Sequence, residues 1–84
     1  MNIKILGSGC AKCRKLEELT REAVNELGIA ANIIHIKDVS KILEYPILTT
    51  PSLVINELVV CSGRVPDKQE LIHMINNAGN TKVS

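Results

Sequence analysis

The sequence predicts one α/β domain, a four-stranded mixed sheet flanked by three helices in the order β-α-β-α-β-β-α. Three observations predict it. Short β-branched apolar runs fall at 1–6, 33–36, 52–55 and 58–61, each of strand length and bounded by turn residues. Apolar residues recur at helical spacing over 13–27 and 71–78. The chain has 84 residues, enough for a single core with a radius of gyration of roughly 12 Å, so residues 1–79 are expected to form one domain and 80–84 a frayed tail.

Each element has its own local cause. Met1–Leu6 is a β-branched run ended by Gly7-Ser8-Gly9, a strand followed by a tight turn. Leu16, Leu19, Ala23, Val24 and Leu27 continue the stripe that begins at Cys13, and Gly28 stands where a left-handed cap belongs, giving a first helix of about 17 residues. Ile33-Ile34-His35-Ile36 is a nearly unbroken apolar run, which predicts a strand covered on both faces and parallel to the first in a right-handed βαβ unit.

Asp38 can cap a short helix through Ile42 and Leu43 to Glu44, which must stop before Pro46. Ser52–Ile55 and Leu58–Cys61 flank Asn56-Glu57, a two-residue hairpin connection in which Asn56 tolerates positive φ. Gly63 breaks the fourth strand. Asp67 with Glu70 forms a capping box that opens the last helix through Leu71, Ile72, Ile75 and Ala78, closed by Gly79.

Composition removes several function classes. Hydrophobic residues are 45% and charged residues 23% of the chain, a globular balance. The net charge is +1 and Tyr45 is the single aromatic residue, so there is neither a strong positive field nor a set of stacking rings for nucleic acid. No run approaches the roughly 20 apolar residues of a membrane span, and the N-terminus lacks a secretory pattern. With three cysteines, an odd number, the chain is expected in the reducing cytoplasm, where thiols are catalytic or bind metal.

Cys10-Ala11-Lys12-Cys13 carries the chemistry. Its two thiols lie three residues apart at the start of a helix, on one face, close enough to form a disulfide without unfolding it. Free N–H groups of the first turn and the helix dipole favour a thiolate at Cys10, the expected nucleophile. Lys12, Arg14 and Lys15 crowd the same turn, where cations oppose the dipole. The same cations stabilise a thiolate, and Lys12 is read as tuning it. Cys13 continues the apolar stripe, so it is expected to be the more buried, resolving thiol.

The competing reading is a small zinc or copper binding or chaperone module built on the same pair. A closed zinc site needs four ligands, and beyond the pair only Cys61, His35 and His73 remain, without the short spacing of zinc folds. Small copper carriers place such a pair after a first strand but end in a strand, whereas this chain ends in a capped helix. Soft thiolates would still take Cu(I).

Gly9-Cys10-Ala11-Lys12-Cys13 after a first strand, Thr50-Pro51 before a hairpin and Gly63-Arg64-Val65 after it resemble the small thioredoxin-like and glutaredoxin-like proteins of archaea and anaerobic bacteria, over Met1 to Ala78. The resemblance implies a shortened thioredoxin fold and thiol–disulfide exchange on protein disulfides. It implies no cofactor beyond the redox-active disulfide itself, no metal, and recharging by a thioredoxin-type reductase. It makes Cys10 the attacking and Cys13 the resolving thiol, Pro51 a cis-proline, and Thr50, Pro51 and Gly63 the substrate-binding residues. Cis bonds are cheap only before proline, at about 0.5–1 kcal/mol. The sequence differs from better known members in having no Trp before Cys10, Ala11-Lys12 between the cysteines, and no acidic residue in the first strand.

Two residues keep two readings. Cys61, near the end of the fourth strand and close to Pro51, is a small buried hydrophobe or a regulatory thiol. Tyr45 packs on the sheet or faces the site. Arg64 is expected to be solvated, and Glu17 with Arg21 to form an exposed i, i+4 pair.

Overall fold

A computed structural model describes residues 1–9, 11–47 and 49–79. The elements are β1 (Asn2–Leu6), α1 (Ala11–Leu27), β2 (Asn32–Ile36), α2 (Val39–Ile42), β3 (Ser52–Ile55), β4 (Leu58–Ser62) and α3 (Lys68–Gly79). They follow the order that the hydrophobic pattern predicts. The proposed tail, 80–84, lies outside the described residues.

The sheet runs β2-β1-β3-β4. β1 pairs parallel with β2, from Asn2 opposite Asn32 to Leu6 opposite Ile36, and antiparallel with β3. β3 and β4 form an antiparallel hairpin in which Ser52 faces Ser62 and Leu53 faces Cys61. The register slips between Leu53 and Val54, because Val54 pairs with Val59. This bulge, which nothing in the apolar run announces, inserts Val60 as the extra residue and lets β4 turn with the sheet.

Alternation along the strands divides the core. Ile3, Ile5, Leu53, Ile55 and Cys61 face α1 and α3, where they meet Leu16, Ala23, Leu71 and Ile75. Leu6 and Val54 face the other way and meet Ile42 of α2, with Tyr45 and Ile47 packed alongside. Each buried Leu or Ile contributes roughly 1.5–3 kcal/mol, so the α1/α3 face carries most of the stability. Short α2 does not reach across the second face. Ile34 in β2 is consequently 49% exposed and Leu43 is 73% exposed. The expectation of a second strand covered on both faces is therefore corrected: β2 is an edge strand with one open side.

Local signals are met in their chemistry. Gly28 takes φ +66 at the end of α1. Asp38 caps α2, its carboxylate accepting from Ser40 N–H at 3.0 Å, but the helix stops at Ile42 rather than Glu44. In α3 the Asp67 carboxylate accepts from Glu70 N–H at 2.9 Å while Asp67 N–H donates to Glu70 at 3.3 Å, a complete capping box.

The hairpin turn takes positive φ at both positions, 50° at Asn56 and 69° at Glu57, the type I′ geometry that matches strand twist. Glu57 is an unusual residue there, and its side chain explains the choice. Its carboxylate accepts from Lys4 Nζ at 2.7 Å and from the Tyr45 hydroxyl at 2.9 Å, while Lys4 Nζ also donates to Tyr45 at 2.9 Å. Tyr45 thus belongs to a triad that ties the hairpin tip to β1, which resolves its two readings in favour of the sheet.

Candidate active site

Two stretches distant in sequence meet at one end of the sheet: the turn after β1 with the first turns of α1, and the loop into β3. Gly7 is the meeting point. Its N–H donates to Ile36 O at 3.0 Å, extending the β1–β2 ladder by one residue. A Cβ added at Gly7 would overlap Cys13 Sγ and stand 3.8 Å from Pro51 Cα. The bare glycine therefore lets the Cys13 sulfur rest against the main chain with Pro51 beside it.

Cys13 is fully buried, with Leu16, Thr20 and Ala23, on the inner stripe of α1. Cys10 lies outside the described residues; by sequence it immediately precedes Ala11, the first residue of α1. Lys12, Arg14 and Lys15 are exposed, and no acidic residue balances them in the first turn.

The loop before β3 is built from short-range polar contacts. The Thr50–Pro51 bond is cis. Pro51 is buried and Thr50 exposed. Thr49 O accepts from Ser52 Oγ at 2.8 Å and from Ser62 Oγ at 3.2 Å, and the two hydroxyls lie 3.0 Å apart. Pro51 O accepts from Gly63 N–H at 2.9 Å. Gly63 has φ +83, and a Cβ there would stand 2.6 Å from Thr49 Cγ2. Gly63 thus supports the proline loop from below, satisfying one of its carbonyls, as Ser52 and Ser62 satisfy another.

A sequence model of the thioredoxin domain matches residues 1–76. The chain belongs to the thioredoxin domain family. It is 44% identical over 71 residues to a thioredoxin of Methanothermobacter thermautotrophicus, covering 84% of this chain and 92% of that protein. It is 38% identical over 69 residues to a thioredoxin of Methanocaldococcus jannaschii, covering 82% and 79%. The four-stranded mixed sheet with three helices is the shortened thioredoxin-like architecture.

Other residues of this thioredoxin domain take more settled places than their sequence suggests. Arg64 is not merely solvated: its guanidinium donates to both oxygens of Glu70 at 3.2 and 3.1 Å. Glu17 is engaged by more than Arg21, since one carboxylate oxygen accepts from Arg21 at 2.9 Å and the other lies 2.9 Å from His35 Nδ1. Arg21 first, then His35, holds the Glu17 carboxyl below the usual carboxylate range. His35 Nε2 is buried and meets no hydrogen-bond partner among the described residues. His73 is exposed on α3. Among the described residues no group of three His, Cys, Asp or Glu could hold a metal ion. Also among them, no helix is long and apolar enough to cross a membrane.

Cys61 stands opposite Leu53 in the core, 7% exposed, with Sγ 3.8 Å from Arg64 O. Burial pushes its thiol pKa up. A raised pKa means less thiolate at neutral pH than an open cysteine has, and only the thiolate alkylates. Cys61 is therefore expected to react at pH 7.5 at least about tenfold more slowly in the native protein than in denaturant, read by mass spectrometry of the labelled peptide. Equal rates would overturn the buried reading in favour of a regulatory thiol.

Sequence reasoning singles out the cysteines and the Thr50-Pro51 pair but misses Gly7, Thr49, Ser52 and Ser62. Gly7 reads only as turn material within Gly7-Ser8-Gly9. A serine opening an apolar strand, as at Ser52 before Leu53-Val54-Ile55, was the one available signal for a polar clamp.

Proposed function

We propose that this thioredoxin domain is an electron carrier that reduces protein disulfides, with Cys10 attacking and Cys13 resolving. The observation that carries the reading is the Cys13 sulfur packed against Gly7 beside Pro51, at the helix start that the Cys10-Ala11-Lys12-Cys13 sequence supplies.

Cys10 thiolate attacks one sulfur of a substrate disulfide. That S–S bond breaks, a mixed disulfide forms, and the first substrate sulfur leaves as thiolate and takes up a proton. Cys13 loses its proton and attacks Cys10 Sγ, which releases the second substrate sulfur and closes the Cys10–Cys13 disulfide. Two electrons pass from the pair to the substrate. An external dithiol, supplied by a thioredoxin-type reductase, reverses the process on the pair. The disulfide is the whole redox equipment, with no further cofactor.

The sites divide the work. The N-terminal amides of α1 with Lys12 favour the attacking thiolate. Burial keeps Cys13 away from bulk oxidants until the mixed disulfide reaches it. Thr50, exposed beside buried Pro51, offers main chain to a substrate peptide, and Gly63 holds that loop in place. The thiol-rich chemistry is suited to a reducing cytoplasm. No observation favours the metal-binding alternative.

The test is thiol trapping with peptide mass analysis on metal-free protein across a series of thiol/disulfide buffers. Reversible loss of two hydrogens confined to Cys10 and Cys13, with one midpoint, is the expected result. A pair that does not close reversibly overturns the reading. The midpoint also ranks possible reductants, since about 30 mV is 1.4 kcal/mol for a two-electron couple.

A further inference from the structure

The cations of this protein are arranged by end. Among the described residues, four of the five remote from the cysteine pair are ion-paired: Lys4 with Glu57, Arg21 with Glu17, Arg64 with Glu70, and Lys68 with Glu22 and Glu26. Lys41 acts on Asp38, the cap of α2. Lys12, Arg14, Lys15 and Lys37 remain, exposed and in no ion pair among the described residues. Three of them stand in the opening turns of α1. The fourth reaches the same place from the end of β2: a Cβ on Gly9 would stand 3.4 Å from Lys37 Cε and 3.6 Å from Nζ. Gly9 immediately precedes Cys10 in the sequence.

The carboxylates are spent elsewhere. Glu17, Glu22, Glu26, Glu57 and Glu70 hold the cations just named, and Asp38 and Asp67 cap helices. Glu18, four residues past Arg14 and three past Lys15, is in no ion pair among the described residues and lines one surface with Arg14. A net charge of only +1 thus conceals four cations in no ion pair among the described residues, on segments that flank the Cys10 position. Cations in a first helical turn work against the dipole, so fold stability does not account for them.

We propose that this cationic rim selects protein disulfides flanked by Asp or Glu. The inference rests on the oxidoreductase reading and names its substrate class. Unpaired charges within a Debye length of the approaching disulfide speed encounter with acidic partners and oppose basic ones.

The test uses the full chain, reduced beforehand and in excess, so that one turnover needs no other reductant. Each event moves two electrons from the Cys10–Cys13 dithiol to the peptide disulfide. Three peptides with one internal disulfide each differ only in the flanking residues, Glu, Gln or Lys. The Glu peptide is expected to be reduced at least about tenfold faster than the Lys peptide in about 20 mM salt, with the ratio falling to roughly two in about 0.5 M salt. The double variant R14Q/K37Q should lower the ratio severalfold, and R14E/K37E, which brings the four rim positions to zero net charge, should bring it to about one. Because the ratio cancels any change in thiol reactivity, it reads docking alone. Equal rates on all three peptides at low salt overturn the rim's role and leave the oxidoreductase reading intact. Failure to reduce any peptide overturns that reading and the rim with it.

Discussion

Cys10→Ser is expected to abolish disulfide reduction, by on the order of a thousandfold or more, because a serine hydroxyl gives no thiolate to attack sulfur. Cys13→Ser is expected to stop the cycle one step later. There the first attack proceeds, but the group that would displace the substrate from Cys10 is missing, so the mixed disulfide accumulates. Single-turnover reactions with a disulfide peptide, quenched in acid and weighed by mass spectrometry, separate the two. The Cys13→Ser protein should gain the mass of one peptide per chain and lose it on addition of a dithiol, and the Cys10→Ser protein should gain nothing. A peptide adduct on Cys13 in the Cys10→Ser protein would reverse the assignment of attacker and resolver. Burial argues against that outcome, since Cys13 is 0% exposed.

Gly7→Ala is expected to be the most damaging single methyl group in the molecule. The added carbon would overlap Cys13 Sγ, with Pro51 Cα in ordinary contact at 3.8 Å; the sulfur is on the buried face of a 17-residue helix, and the proline is in a loop clamped by Ser52, Ser62 and Gly63, so the overlap has little room to relax. Overpacking of this kind costs about 1–3 kcal/mol. For a domain of this size that lowers the melting temperature by roughly 5–20 °C. Gly28→Ala is the control, since nothing lies within 4 Å of its added carbon and only the positive φ resists it, at about 1 kcal/mol. Thermal unfolding by circular dichroism distinguishes them. A Gly7→Ala protein that melts with the wild type would refute the contact. If it folds, the displaced Cys13 should also shift the midpoint of the Cys10–Cys13 couple, whereas Gly28→Ala should leave it in place.

Much of this molecule is written in short-range patterns. The periods of 2 and 3.6 locate the strands and the two long helices, Gly28 ends α1, Asp38 caps α2, and Asp67 with Glu70 opens α3. Asn56 announces the hairpin. Cys10-Ala11-Lys12-Cys13 offers its chemistry within four residues, and the apolar stripe that continues from Cys13 through Leu16, Leu19 and Ala23 indicates that Cys13 is buried. Each is a contact between residues fewer than about five apart in sequence, where side-chain spacing alone decides what can touch.

The tertiary structure decided the rest, because the groups concerned come from segments that only folding brings together. Gly7, Cys13 and Pro51 converge although no periodicity links positions 7, 13 and 51. Lys37 reaches Gly9 across the β1–β2 connection, and Thr49 is held by hydroxyls from two strands. Glu57 tolerates positive φ in a turn anchored by its carboxylate to Lys4 and Tyr45, both far away in sequence. The exposed side of Ile34 depends on how far four-residue α2 extends, a matter of packing that an apolar run cannot express. By itself the sequence determined the elements, their order and the candidate cysteine pair; the tertiary structure decided which glycine makes room for the Cys13 sulfur and which cations among the described residues remain without an ion pair, since both are set by long-range proximity rather than by local pattern.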